Sequence, residues 1–227
     1  MNRTAIVPDI LRETCDERLN LVLKALEETG LDQSLIAEHT AFLERALLFS
    51  EFIFKSLMLK PTLLCDLVES GDLLRSYAAG TYETDIEAVL ETVTAESEMG
   101  LALRWKRVRE MLRIAWRDIN SLASLDETLA NLSDFAEACV DKTFKKLYDW
   151  QCLKMGTPVG GDGTPLKIVV LGMGKLGARE LNFSSDIDLI FAFPEAGDTV
   201  EGPKSVRNEG FFIRLCRAFL KVMNEKG

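Results

Sequence analysis

The sequence predicts an α+β protein, in which a long helical region precedes the beginning of an α/β domain. Three features predict this class. Apolar side chains recur at helical spacing through the first 154 residues, residues 155–165 hold four glycines and two prolines, and two short strand-like apolar runs follow. We therefore expect a helical region over residues 1–154, a Gly/Pro loop over residues 155–165 and an incomplete α/β domain over residues 166–227.

The helical region has both periodicity and start signals. Apolar residues spaced three or four positions apart predict helices over residues 16–29 and 34–60. A hydroxyl residue stands three positions before a glutamate at Thr84 and at Ser124. This is the spacing of a capping box, so we expect helices to start just after both residues. A last long helix is expected over residues 133–154.

Composition and charge exclude several classes of protein. The 227 residues carry a net charge of −9, so we expect no binding to nucleic acid. No apolar run is long enough to span a membrane, and no signal-peptide pattern opens the chain. The five scattered cysteines lack CxxC spacing, which favours reduced thiols in a cytoplasmic protein. The single histidine, His39, excludes Ser-His-Asp triads and zinc sites built from several histidines.

Two strands and one helix are predicted beyond the loop. Residues 166–171 form a short β-branched run that is apolar on both faces, which is typical of a buried strand. Residues 188–193 predict a second strand, and residues 205–225 predict an amphipathic helix. Two strands and a helix make a poor independent core. We therefore expect the α/β domain to be incomplete in this chain.

The turn between the two predicted strands is rich in glycine and has two interpretations. Gly172, Gly174 and Gly177 fit the GxGxxG pattern of dinucleotide-binding folds. That interpretation needs a crossover connection of a dozen or more residues. Aspartates follow Gly177 by only nine and eleven residues, however, at the start of the second strand. The competing pattern, a glycine followed by a small or polar residue and then Asp-apolar-Asp on a strand, resembles that of the nucleotidyltransferase superfamily.

Asp186 and Asp188 are the candidate catalytic residues and Mg²⁺ ligands. Residues i and i+2 of a strand point to the same face, with Cα atoms roughly 6.5 Å apart. Ile187, Leu189 and Ile190 indicate burial, where two adjacent carboxylates repel each other unless a cation neutralises them. Paired carboxylates predict a Mg²⁺ site for phosphoryl or nucleotidyl transfer. The alternative is a solvated start of a strand.

The candidate phosphate-binding groups lie in the glycine-rich turn and just before the aspartates. The glycines at 172, 174 and 177 let the backbone approach a phosphate, and a short helix after them offers unpaired amides. Lys175 adds a positive charge there in one interpretation and is a solvated surface residue in the other. Ser184 and Ser185 donate to phosphate in one interpretation and only cap the turn in the other.

The stretch GMGKLGARELNFSSDIDLIF, from Gly172 to Phe191, resembles the nucleotidyltransferase signature of the glutamine synthetase adenylyltransferase family. REMLRIAWRD, from Arg109 to Asp118, is similar to a helical motif that precedes that domain in the same family. The resemblance covers residues 99–227. It implies a polymerase-β-like nucleotidyltransferase domain over residues 166–227.

The resemblance also implies a reaction, partners and a setting. The N-terminal half of such enzymes uses phosphate to remove AMP from a tyrosine of glutamine synthetase, with Mg²⁺, and releases ADP. Longer members also attach AMP from ATP. Glutamine synthetase, the PII nitrogen-signalling protein, and ATP, ADP and phosphate are the implied partners, in the cytoplasm. The family's third carboxylate lies on a strand that this sequence lacks, so we expect a truncated chain with little or no turnover.

Two other functions stay open at the level of sequence. The chain could be a non-catalytic regulatory or interaction module that binds a partner through its helices. It could also be a nucleotidyltransferase with another acceptor, such as an antibiotic or an RNA end. The acidic net charge makes RNA the weaker choice.

A basic stretch over residues 104–117 has its own two interpretations. Its six arginines and lysines could face an anionic ligand or an acidic partner. Acidic residues outnumber basic ones in the whole chain, which favours a solvated or salt-bridged face instead.

Overall fold

The computed structural model describes residues 8–30 and 34–224, and over these residues it is mostly helical with two small sheets. The helices are α1 (Asp9–Glu27), α2 (Ser34–Ala37), α3 (Thr40–Phe49), α4 (Glu51–Leu59), α5 (Thr62–Glu69), α6 (Thr81–Glu91), α7 (Glu96–Ile119), α8 (Leu125–Met155), α9 (Gly174–Gly177) and α10 (Asn208–Asn224). The strands are β1 (Thr157–Pro158), β2 (Val169–Gly172), β3 (Leu189–Ala192) and β4 (Thr199–Val200). This content is compatible with the predicted α+β class.

The chain forms two compact units. The first comprises residues 1–78 and 107–131, and the second comprises residues 79–106 and 132–227. The boundaries of the units therefore fall near α6 and within α7 and α8. The Gly/Pro loop over residues 155–165 lies inside the second unit.

The first unit is a helical bundle around an aliphatic core. Helix α1 packs against α3 and α4, and α2 and α4 contact α5. The region predicted as one helix over residues 34–60 is divided, and this prediction was wrong. The backbone is extended at Ser50, whose hydroxyl accepts a hydrogen bond from the Ile53 amide at 3.1 Å and caps α4. The core is formed by buried residues from these helices and from α7, among them Val22, Leu26, Leu43, Leu47, Ile53, Leu57, Leu64, Leu112 and Trp116.

One of the two predicted helix starts is confirmed and the other is wrong. Helix α8 begins at Leu125, and the Ser124 hydroxyl accepts from the Glu127 amide at 3.1 Å. Helix α6 begins at Thr81, so Thr84 lies inside it. The Thr84 hydroxyl donates to the Gly80 carbonyl at 3.0 Å instead of capping the helix.

The basic stretch is buried at two positions in the first unit, Arg113 and Arg117. Arg113 and Arg117 are 0% and 2% exposed, so the expectation of a solvated face was wrong there, while that of ion pairing is confirmed. Arg117 pairs with Glu127 at 2.9 Å, and Arg109 pairs with Asp72 at 2.7 Å. Arg113 donates to the backbone carbonyl of Asp72 at 3.0 Å, and its guanidinium lies 3.4 Å from the centre of the Tyr77 ring. The contacts of Arg109 and Arg113 with Asp72 hold α7 against the segment that follows α5.

The second unit contains two antiparallel two-stranded sheets. Strand β1 pairs with β4, and β2 pairs with β3 in the register Val170 to Phe191 and Gly172 to Leu189. Both strands of the second pair are shorter than predicted. The expectation that the first of them is buried on both faces was wrong, because Val169 and Leu171 are 46% and 50% exposed.

The inner face of the β2–β3 pair packs against two helices through aromatic rings. Phe191 of β3 makes edge contacts with Phe144 of α8 and Phe219 of α10, at 5.4 and 5.8 Å between ring centroids. Phe144 and Phe219 stack on each other at 4.0 Å. Helix α10 lies within the predicted amphipathic segment, and its buried face holds Phe211, Phe212, Leu215, Phe219 and Val222. Aromatic rings bury large apolar areas, so these contacts help to hold the small sheet against the two helices.

The five cysteines are free thiols, three of them buried and two partly exposed. Among the described residues, no helix combines the length and the apolar character that a membrane crossing requires.

Candidate functional site

The β2–β3 pair brings the glycine-rich turn and the aspartates together. Gly172, the last residue of β2, lies opposite Leu189, the first residue of β3. One residue further on, the Met173 amide donates to the Asp188 carbonyl at 2.9 Å. Since the strands are antiparallel, the residues after β2 and the residues before β3 lie at the same end of the pair. The turn at Gly174 is therefore next to Asp188.

Asp186 and Asp188 lie on the outer face of this hairpin. Burial alternates strictly from Ser185 to Ala192, with Asp186, Asp188 and Ile190 exposed and the intervening residues partly buried. Alternation of this kind places residues i and i+2 on one face. The two carboxylates are exposed to solvent, so the expectation that the neighbouring apolar residues bury them was wrong. Ile190, one of those neighbours, is itself 49% exposed.

The glycines of the turn meet two different steric requirements. Gly174 has φ +54°, a left-handed conformation that side chains rarely adopt, so glycine permits the turn into α9. A Cβ atom on Gly177 would lie 2.4 Å from the Gly172 carbonyl oxygen. Glycine at 177 thus allows α9 to approach the end of β2. A Cβ atom on Gly172 would meet the Leu176 side chain at 3.0 Å.

Helix α9, the short helix expected after the glycines, has only four residues. It ends at Gly177, and Arg179 follows with φ +58°. The Arg179 guanidinium forms ion pairs with Asp134 and Glu137 of α8. The hydrogen bond to Asp134, above all, raises the pKa of Arg179. This contact fixes the chain between the turn and the aspartates to a long helix.

Ser184 and Ser185 both hydrogen-bond to one side chain. Their hydroxyls donate to Oδ1 of Asn182 at 3.1 and 2.8 Å, and the Ser184 amide donates to the same oxygen at 3.2 Å. The backbone amide of Asn182 in turn donates to the Ser185 hydroxyl oxygen at 3.2 Å. In this conformation the serines make the turn-forming contacts of their second interpretation. A role in phosphate binding stays a prediction.

Lys175 occupies the second position of α9 and is exposed. Its neighbour Leu176 is buried at 4% exposure and anchors the short helix to the unit. The lysine is thus held at the turn by its backbone while its ammonium reaches solvent. Both interpretations of Lys175 remain compatible with this position.

The donor set at the end of the hairpin fits Mg²⁺ chemistry. Carboxylate oxygens are the hard ligands that Mg²⁺ prefers, and Mg²⁺ often binds through one or two carboxylates with waters and substrate phosphates. Asp186 and Asp188 supply two such groups, exposed on one face. The described residues contain no cluster of three or more metal-binding side chains, so phosphate oxygens and water would complete the coordination.

Sequence reasoning missed two residues that organise this site. The sequence patterns did not identify Asn182, although an asparagine before a Phe-Ser-Ser sequence is a signal for an Asx turn. The sequence patterns did not identify Arg179 either. Its acidic partners on α8 are 42 and 45 residues away in sequence, and no local pattern identifies such a pair.

Comparison with known families matches residues 40–227 to the family described as glutamate-ammonia ligase adenylyltransferase. The matched range includes the turn, the Asn182 segment and both aspartates. It begins inside the first unit and continues through the second.

Several curated bacterial proteins are similar to this chain, and each is named bifunctional glutamine synthetase adenylyltransferase/adenylyl-removing enzyme. The protein from Nitrosococcus oceani is 42% identical over 221 residues, which cover 97% of this chain and 23% of the relative. The protein from Pseudomonas syringae pv. tomato is 43% identical over 189 residues, which cover 83% of this chain and 19% of the relative. The protein from Pseudomonas putida is 46% identical over 176 residues, which cover 77% of this chain and 18% of the relative. The chain thus spans about a fifth of the length of these relatives.

Proposed function

This chain belongs to the glutamate-ammonia ligase adenylyltransferase family, and on that premise we propose that it carries the adenylyl-removing nucleotidyltransferase site of such an enzyme. The proposed reaction removes AMP from a tyrosine of glutamine synthetase, with phosphate as the acceptor. The names of the relatives include adenylyl removal as well as adenylyl transfer, so they are compatible with this direction.

One observation carries the proposal: the Met173 amide bonds to the Asp188 carbonyl at 2.9 Å. This bond holds a turn that can approach phosphate beside the second of two carboxylates on one face. Nucleotidyl transfer needs a phosphate cradle and a cation site in contact with each other. An isolated glycine-rich turn or an isolated carboxylate pair would not support this function.

The residues of the site have different roles in the proposed reaction. Asp186 and Asp188 hold Mg²⁺, which when bound neutralises charge that develops on the transferred phosphate. Backbone amides at Gly174 and Lys175, with the lysine ammonium, hold nucleotide or phosphate oxygens. An oxygen of inorganic phosphate attacks the phosphorus of the AMP group, the bond to the tyrosine oxygen breaks, and that oxygen takes up a proton. The products are ADP and unmodified tyrosine.

The polymerase-β-like fold, the Mg²⁺ dependence, control by the PII protein and the cytoplasmic setting are parts of the same proposal. They rest on the resemblance of the signature between residues 172 and 191, and family membership is compatible with them. Turnover by the 227-residue chain alone is expected to be low, because the described residues supply only two carboxylates to the proposed Mg²⁺ site.

Nucleotide binding tests the proposal on this chain directly. Calorimetric titration with ADP in the presence of Mg²⁺ should give binding to the parent chain, and Asp186→Asn and Asp188→Asn should each lower affinity by tenfold or more. Asp149→Asn, which alters an exposed carboxylate on α8, is the matched control and should bind like the parent. Equal affinity of the parent and both site variants would contradict the proposal.

Activity is tested in a full-length relative, because this chain spans only about a fifth of it. The equivalents of the two aspartate variants in the Nitrosococcus oceani protein should abolish the phosphate-dependent release of ADP from adenylylated glutamine synthetase. Retained release would refute the catalytic assignment. Binding of glutamine synthetase or PII by this chain without any nucleotide affinity would favour a non-catalytic module instead.

A further inference from the structure

The segment between the buried Leu181 and Asp186 closes on the side chain of Asn182. Its Oδ1 accepts three hydrogen bonds, from the Ser184 amide, the Ser184 hydroxyl and the Ser185 hydroxyl, at 2.8 to 3.2 Å. A fourth and a fifth bond join the backbone of Asn182 to Ser185, through the Ser185 hydroxyl at 3.2 Å and the Ser185 amide at 3.1 Å. Five hydrogen bonds within four residues fix the path of a loop that has no regular secondary structure.

This loop is one of two supports of the aspartate pair. Asp188 is held by the ladder bond from Met173 and by the start of β3 immediately after it. Asp186 lies two residues before Asp188 in the sequence, and Ser185 immediately precedes Asp186. The ladder thus supports the pair from one side, and the loop centred on Asn182 supports it from the other.

We infer that Asn182 is a positioning residue, which holds Asp186 in place for the metal through Ser184 and Ser185. The inference rests on the proposed function, since it assigns Asn182 a role in the metal site proposed for the two aspartates. In this role Asn182 acts through the two serines and would not itself be a metal ligand. It lowers the cost of binding because the loop does not have to be ordered when the cation arrives.

The chemistry of the side chain explains why an amide suits this position. An acceptor oxygen is needed for the three donors, and alanine has none. An aspartate offers the same oxygen geometry but adds a negative charge close to two carboxylates. That charge would repel the pair in the absence of metal and attract a cation in its presence. Asn182→Asp should therefore preserve the loop and bind a divalent cation at least as tightly as the parent.

Titration of the 227-residue chain with Mn²⁺, followed by the electron paramagnetic resonance signal of the free ion, tests the inference. Asn182→Ala should lower Mn²⁺ affinity about tenfold, which is the lower end of the effect of residues that support metal ligands. Asn182→Asp should restore affinity to the parent value or above. Thermal denaturation of each variant should stay close to that of the parent, because the loop is exposed and contributes little to the core.

The outcomes separate this inference from the function on which it rests. Parent-like Mn²⁺ affinity in Asn182→Ala would overturn the inference alone. Failure of Asn182→Asp to restore the affinity would also overturn it. If the parent bound no Mn²⁺ in a manner that depends on Asp186, the proposed function and the inference would fall together.

A second variant keeps the test decisive if Asn182→Ala does not fold. The double variant Ser184→Ala/Ser185→Ala removes two donors and one acceptor from the loop but leaves Asn182 in place. It should lower Mn²⁺ affinity in the same direction. An unchanged affinity would overturn the inference.

Discussion

The backbone amide of Met173 and the backbone carbonyl of Asp188 are hydrogen-bonded at 2.9 Å. This bond extends the β2–β3 ladder by one residue beyond the strands. It joins the residue before the left-handed turn at Gly174 to the second residue of the carboxylate pair. Displacement of either segment would therefore displace the other.

Met173→Pro should weaken both stability and metal binding. Proline has no amide hydrogen and fixes φ near −65°, whereas Met173 has φ −103°. The ladder bond is lost, so we expect Mn²⁺ affinity to fall by tenfold or more and unfolding to become easier by about 1–3 kcal/mol. Met173→Leu keeps the amide and should behave like the parent in titration and in urea denaturation. Parent-like Mn²⁺ binding by the proline variant would show that the bond does not position Asp188.

Gly177→Ala should destabilise the second unit. The added methyl group would lie 2.4 Å from the Gly172 carbonyl oxygen, so α9 must move away from β2. Overpacking against backbone costs about 1–3 kcal/mol, measurable by urea denaturation. Gly210→Ala is the matched control, because a Cβ atom there meets nothing within 4 Å and the residue lies in α10. That variant should be neutral or slightly more stable, since alanine favours a helix. Equal stabilities of the two variants would contradict the packing role of Gly177.

The short-range features of this fold could be predicted from the sequence. The spacing of apolar residues identified the helical region, and Ser124 with Glu127 identified the start of α8. The alternation of two aspartates with apolar residues identified a shared face. All of these depend on residues a few positions apart, where helix and strand geometry alone decides the outcome.

The features that depend on distant partners could not be predicted. Arg113 is buried because carbonyls of residues 72 and 75 accept from it, about forty positions away in sequence. The exposure of Asp186 follows from the absence of a covering layer over the outer face of the hairpin among the described residues. The sequence around Asp186 predicts burial because the inner face of the same strand is apolar. Local patterns record which residues share a face but not what covers it.

Ser124 caps a helix and Thr84 does not, so replacing each by alanine should change stability by different amounts. Ser124→Ala should destabilise the protein by about 1 kcal/mol, because the Glu127 amide loses its acceptor at the start of α8. Thr84→Ala should change stability by no more than about 0.5 kcal/mol, because its hydroxyl only donates back to Gly80 within α6. Chemical denaturation of both variants checks the difference. A larger loss for Thr84→Ala would mean that the start of α6 lies nearer to Thr84 than to Thr81.

Lys175→Gln should weaken nucleotide binding without affecting the fold. The variant removes a charge at the turn, and we expect ADP affinity in the presence of Mg²⁺ to fall about three- to tenfold, with a weaker dependence on salt. Lys167→Gln, an exposed lysine shortly before β2, is the matched control and should bind like the parent. Equal effects of the two variants would assign Lys175 to the general surface charge and favour the solvated interpretation.

Asp72→Asn should lower stability in a manner that depends on pH. Burial alone would raise the pKa of this carboxyl, but hydrogen bonds from Arg109, Tyr77, Ser70 and Arg75 outweigh burial and lower it from 3.8 to about 2. A carboxyl with a lowered pKa in the folded state stabilises the protein above pH 4. That contribution is lost as pH falls towards 2. The shift corresponds to about 2 kcal/mol at neutral pH, and about half of that is retained at pH 3.

The asparagine variant cannot titrate, so its stability should approach that of the parent as pH falls. Urea denaturation at pH 7, 5, 4 and 3 measures this convergence. Asp66→Asn is the matched control, because Asp66 also pairs with Arg109 but its side chain is 56% exposed, against 7% for Asp72. An exposed ion pair contributes less than about 1 kcal/mol, so this variant should stay close to the parent throughout. A constant gap between the parent and Asp72→Asn from pH 7 to pH 3 would mean that Asp72 acts through shape and hydrogen bonding, and that its charge contributes nothing to the buried arginine cluster.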